Sequence, residues 1–165
     1  MTNQTMICDQ CRQLYEQVGD RVAQAQVFAD VRRSDGGLNC PAAGVQSNAT
    51  YRAKVDLPRG DVVWIGLYTP DRWLSESIEA ELMHVGDKIE DLLEEELIDQ
   101  GYDGRLPVEH FRDDEKQFVF RSPLRVSEGL EVNDPKLVED VARVLLAYEA
   151  CFRELGDMKP NEAMD

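Results

Sequence analysis

The pattern of this chain predicts an α+β fold: a mainly antiparallel sheet of five to six strands flanked by helices. Three observations lead there. Tyr51, Ala53, Val55 and Leu57 alternate with Arg52, Lys54 and Asp56, the period of a strand with one wet face, and the turn Pro58-Arg59-Gly60-Asp61 joins them to the apolar run Val62–Tyr68. Thr69–Gly101 places Leu74, Ile78, Leu82, Val85, Ile89, Leu92, Leu93 and Leu97 at helical spacing. Leu137, Val141, Val144, Tyr148, Cys151 and Leu155 then recur at three- and four-residue steps, thickened by Val138, Leu145 and Phe152. Strands in meander order with helices segregated around them are the mark of α+β.

Taken in order, residues 6–18 set Ile7, Cys11, Leu14, Tyr15 and Val18 on one helical face, with Gly19 as the stop, although 22–25 could extend the helix. Val27–Arg33 reads as a strand closed by the turn Ser34-Asp35-Gly36-Gly37. Leu38–Val45 is an edge strand or a loop, because Pro41 and Gly44 weaken it, and Gln46-Ser47-Asn48 is a turn. Val62–Tyr68 is apolar on both faces, so it should be a central strand with Trp64 in the core. Thr69 is the expected N-cap of the acidic helix and Pro70 its first residue. Gly86 either interrupts that helix or is carried within it. Asp87 followed by Glu90 has capping-box spacing and could start a second helix. Arg105–Arg112 and Lys116–Arg121 form a second hairpin, which Leu124–Val126 could extend beyond Pro123. Asp134-Pro135 caps and starts the last helix, Gly156 ends it, and the tail from about 157 should be frayed.

At 165 residues with 42% hydrophobic content, one domain (1–165) with a real core is expected. The net charge of −15 argues against naked nucleic acid and anionic membrane surfaces as partners, since binding phosphates needs clustered Lys and Arg. Between Asp71 and Gln100 eleven carboxylates face two cations, so most of the excess sits on one element. Glu90, Asp91, Glu94, Glu95 and Glu96 make the candidate acidic interaction surface. Three adjacent carboxylates at 94–96 repel one another unless cations lie near, supplied by a basic partner or by Arg105, Arg112 and Arg121 of the next hairpin. The N-terminus lacks the basic and apolar regions of a signal peptide, and no run is long enough for a membrane span. A cytoplasmic location with reduced thiols is therefore expected.

Cys8-Asp9-Gln10-Cys11 is the one chemically suggestive motif, since two thiolates at this spacing can hold one side of a tetrahedral zinc or cycle as a dithiol. Zinc would need two further ligands, brought by folding from Cys40 and Cys151 or from His84 and His110. Glu81 and His84 have the spacing of a helical di-iron half-site, but no second copy follows. Cys40 is the least implausible thiol nucleophile. No cofactor is implied.

The hairpin Tyr51–Tyr68, the helical segment Arg72–Gln100, the hairpin Arg105–Arg121 and the helix Pro135–Leu155, preceded by helix 6–18, follow one another in an order that resembles the secretion-chaperone-like fold. That fold is shared by type III secretion chaperones and YbjN-type regulators. The resemblance implies a homodimer or a pseudo-dimeric monomer that captures a protein segment without doing chemistry. The functional expectation is a non-enzymatic protein-binding module, chaperone-like or regulatory, whose partner is a basic or extended segment. The alternative is a small metal- or thiol-dependent enzyme or sensor using Cys8 and Cys11.

Overall fold

The computed structural model describes residues 2–34, 36–43, 48–56, 60–86, 88–127 and 129–155, with side chains from residue 9 onward. The elements are α1 (Thr2–Ala25), β1 (Arg32–Ser34), β2 (Gly37–Pro41), β3 (Thr50–Val55), β4 (Val62–Thr69), α2 (Arg72–Val85), α3 (Ile89–Asp99), β5 (Glu109–Arg112), β6 (Phe118–Arg125) and α4 (Pro135–Arg153). The fold is α+β. All strand pairs are antiparallel, and the six strands run in the order β1-β2-β3-β4-β6-β5. Residues 38–41 therefore join the sheet, one strand in from its edge.

One face of the sheet is buried under the helices. Leu38, Cys40, Tyr51, Ala53, Val55, Val63, Ile65, Leu67, Phe120 and Leu124 point into this layer and are nearly inaccessible. From α1, Leu14, Tyr15, Val18 and Val22 meet them, and the Val55 amide donates to the Tyr15 hydroxyl at 2.9 Å. From α4, Tyr148 shares a 2.6 Å hydrogen bond with Ser122, and Phe152 packs on Phe120 with ring centroids 5.2 Å apart. Side chains of this size contribute about 2–3 kcal/mol each when fully buried. The helix α2 buries only Leu74, Ser75 and Ile78, and α3 only Leu93 and Leu97.

Several local expectations are corrected. The helix α1 begins at Thr2 rather than at residue 6, and of the two ends left open it takes the longer, passing Gly19 to Ala25, because Val22 continues the buried Leu14–Val18 stripe. Glycine fits there for a tertiary reason: a Cβ would lie 2.7 Å from Nε of Arg33, whose guanidinium bonds the Glu16 carbonyl and the Asp20 carboxylate. The first strand is only three residues long. Asp30 interrupts it by accepting from the Val31 amide and from Nε of Arg32, leaving a single bridge at Phe28–Ala42 upstream. Thr69 is not the cap of α2; it is the last residue of β4, paired with Phe118. Asp71 caps instead, its Oδ1 accepting from the amides of Trp73 at 3.0 Å and Leu74 at 3.3 Å.

The acidic segment is broken at Gly86, whose φ of 75° is left-handed and ends α2. Lys88 occupies the N-cap position of α3 without a side-chain cap bond. In the second hairpin only Glu109–Arg112 pairs, since Pro107 has no amide to give a ladder. The strand β6 does continue through Pro123 to Arg125. Asp134 and Pro135 start α4 as the sequence indicates, with Oδ1 accepting from the Lys136 amide at 2.9 Å. Trp64 is not in the core: it lies half-buried on the face turned away from the helices. Asp35, 44–47, 57–59, Asp87, Gly156 and the tail lie outside the described residues.

Candidate functional site

The carboxylates of α3 named above, Glu90, Asp91, Glu94, Glu95 and Glu96, divide between three settings. Leu93 and Leu97 turn one stripe of the helix into the core, which leaves the carboxylates on the outer stripes. Asp91 and Glu94 are held by Arg105, whose Nη1 lies 2.9 Å and 3.5 Å from them. The intramolecular cation thus comes from one of the three arginines named above. Arg121 pairs with Glu109 instead, and Arg112 lies over the Phe118 ring. Glu90 sits beside Lys88, Arg105 and Pro107 in a shallow depression. The Arg105 pairs are solvent-exposed, so water and salt screen them.

Glu95 and Glu96 face a different neighbourhood. With Glu81, Val85, Leu92, Ala150, Cys151, Glu154 and Leu155 they line a groove of about 210 Å³ between the end of α2, α3 and the end of α4. Its floor is apolar and its four polar lining groups are all carboxylates. Val85 is 49% exposed at its rim. Partial burial holds the Glu96 carboxyl above the ordinary carboxylate range, and the charges of Asp99, Glu95 and Glu149 push it the same way against the opposing pull of Arg153. Glu149 itself is paired with Arg153 on α4. The groove is smaller than the roughly 300–1,000 Å³ of small-molecule sites, and its size suits an anchoring side chain better than a substrate.

The thiols are placed by the core. Cys11 is buried among the α1 core residues, and the Cys8 side chain lies outside the described residues. Cys40 and Cys151 are buried on the sheet and on α4, and burial pushes each thiol up to about 12. Glu96 and Glu95 push Cys151 further the same way, while at Cys40 Arg33 pulls back. Burial disfavours the thiolate at both, so Cys40, the least implausible nucleophile in the sequence, sits where a thiol is inert. Among the described residues no three His, Cys, Asp or Glu side chains are grouped as a metal would require. His84 is exposed on α2. His110 bonds the Val119 carbonyl at 2.9 Å and Glu79 at 2.6 Å and stacks on Phe120 at 3.8 Å, tying α2 to the sheet.

The opposite face of the sheet was missed by the sequence reading. On β4, Trp64, Gly66 and Tyr68 point outward, and cations from the flanking strands cover them: Arg121 lies 3.8 Å over Trp64 and Arg52 lies 4.3 Å over Tyr68. The two apolar faces of β4 were legible; that cation–π cover keeps one of them at the surface depends on strand order. Among the described residues no helix is long and apolar enough to cross a membrane. Comparison of the chain with protein-family models, with curated protein sequences and with solved structures gives no match.

Proposed function

We propose that the protein is a non-enzymatic binding module that captures a basic, amphipathic segment of a partner protein in the groove between α2, α3 and α4. The observation that carries this reading is the pairing of an apolar floor (Leu92, Ala150, Leu155) with a rim of carboxylates (Glu81, Glu95, Glu96, Glu154). An apolar side chain would displace water from the floor, and Lys or Arg on either side of it would offset the burial and the carboxylate repulsion that together raise the Glu96 pKa. The net charge of −15 steers such a segment inward and adds to its on-rate. The element order, which resembles that of secretion chaperones and YbjN-type regulators, supports a chaperone-like or regulatory role, and the same resemblance makes a homodimer the expected solution state. The alternative based on Cys8 and Cys11 draws no support from the burial of Cys11 in the core.

The test is fluorescence anisotropy with labelled peptides. A helix-forming Lys/Leu peptide should bind, a Glu/Leu peptide of the same length should not, and added salt should weaken binding. Glu95→Gln with Glu96→Gln should weaken it about tenfold, the scale of one or two charge-assisted contacts of about 1.4 kcal/mol in total. Equal binding of both peptides, or an unchanged affinity in the double variant, would overturn the assignment.

A further inference from the structure

Two helices end at the acidic groove. The helix α2 stops at Val85, with Gly86 as its cap, and α4 stops at Arg153, with Glu154 as its cap. Glu81 and Val85 line the groove from the first, and Glu154 and Leu155 from the end of the second. The last carbonyls of a helix have no partner within it and carry the negative end of its dipole, so both ends add to the field of the carboxylates. Those carboxylates arrive from all three helices: Glu81 on α2, Glu95 and Glu96 on α3, and Glu154 at the end of α4. The cation in the last turn of α4 does not serve them. Arg153 is engaged by Glu149, with Nε donating to Oε2 at 2.8 Å and Nη2 to Oε1. Among the described residues Glu95, Glu96 and Glu154 form no ion pair.

We propose that the anchor of the captured segment is a lysine, its aliphatic stem lying along Leu92, Ala150 and Leu155 and its ammonium among Glu81, Glu95, Glu96 and Glu154. This rests on the reading of the groove as the docking site for a basic segment and names the side chain that enters it. Lysine joins an apolar body to a cationic tip. One such side chain covers the floor of a groove of about 210 Å³ and reaches its rim as well. A leucine would cover the floor and leave every carboxylate to residues outside the groove. The geometry also separates lysine from arginine. A guanidinium is a planar fork matched to a single carboxylate, whereas an ammonium is a compact charge with three donors directed apart. Acceptors converging from three helices surround a point and do not share a plane. An ammonium there would offset both the burial and the carboxylate repulsion that hold the Glu96 carboxyl up.

The test titrates the full chain with peptides of Ala and Gln that differ at one central position, followed by amide NMR. Lysine there should bind about tenfold more tightly than norleucine, which has the stem alone, or acetyl-lysine, which has lost the charge, and about threefold more tightly than arginine. Shifts should centre on Leu92, Ala150 and Leu155. In Glu95→Gln with Glu96→Gln the preference over norleucine should fall to about threefold or less, with norleucine affinity unchanged. Glu154 is exposed, so Glu154→Gln keeps the question open to test should the double variant misfold. It should weaken the lysine peptide about threefold and leave the norleucine peptide alone. The Lys/Leu peptide is titrated alongside. If it binds in the groove while norleucine or arginine equals lysine, or while the lysine peptide gives no shift at millimolar concentration, the lysine anchor is overturned and the docking groove stands. If the Lys/Leu peptide does not bind, both fall.

Discussion

Cys40 and Cys151 resist ionisation because each thiolate would have to form in apolar surroundings, and at Cys151 beside two carboxylates as well. Their pKa values near 12 imply that a thiol reagent at pH 8 leaves both unlabelled in the native protein and labels both in urea. Mass analysis of the tryptic peptides checks this, and native labelling of Cys40 would contradict the burial assigned to β2. Tyr51 shows the opposite economy at a single atom. Its ring is core, but its hydroxyl is buried without a hydrogen-bond partner. Removing it in Tyr51→Phe should stabilise the fold by about 1 kcal/mol, read as a raised urea midpoint. Tyr148→Phe, which breaks the bond to Ser122, should cost about 1 kcal/mol by the same measurement.

At the scale of elements, two glycines hold the architecture. A Cβ on Gly66 would stand 2.3 Å from the Phe120 carbonyl oxygen and 2.7 Å from the Arg121 Cα, both backbone atoms of the paired strand. Gly66→Ala should therefore destabilise the sheet by about 2–3 kcal/mol, seen as a lowered melting temperature. Gly86 has open space around it but a φ of 75°, so Gly86→Ala should cost about 1–2 kcal/mol through backbone strain alone. The hairpin β3–β4 and the helix α4 were readable in the sequence because their signals are local: alternation, and Asp-Pro before a periodic run. The break at Gly86 stayed open, because an isolated glycine can also be carried within a helix. The length of α1 was not, because Gly19 reads as a stop until Arg33 is known to lie across it. Trp64 was misread because an unbroken apolar run hides which face the helices cover. The acidic stripe of α3 was legible as composition, but the groove joins residues 81–96 to 150–155 and appears only once α4 packs beside α3.

Over the whole molecule, carboxylates outnumber cations by 15, and they crowd the segment from Asp71 to Gln100. This excess predicts how stability responds to pH. Burial holds the Glu96 and Asp140 carboxyls above their ordinary values, so the folded state binds these protons more tightly than the unfolded chain does. Their contribution favours the fold below the ordinary carboxylate pKa and is lost as pH rises through the higher folded values. The urea midpoint at pH 5 should thus exceed that at pH 8, where self-repulsion of the excess negative charge is also larger. The amide NMR spectrum of the protein, titrated with the Lys/Leu peptide, tests the central claim most directly. The account predicts shifts concentrated on Val85, Leu92, Glu95, Glu96, Ala150 and Leu155, with the outer residues of β3, β4 and β6 unmoved; shifts confined to the sheet face, or none at millimolar peptide, would contradict it.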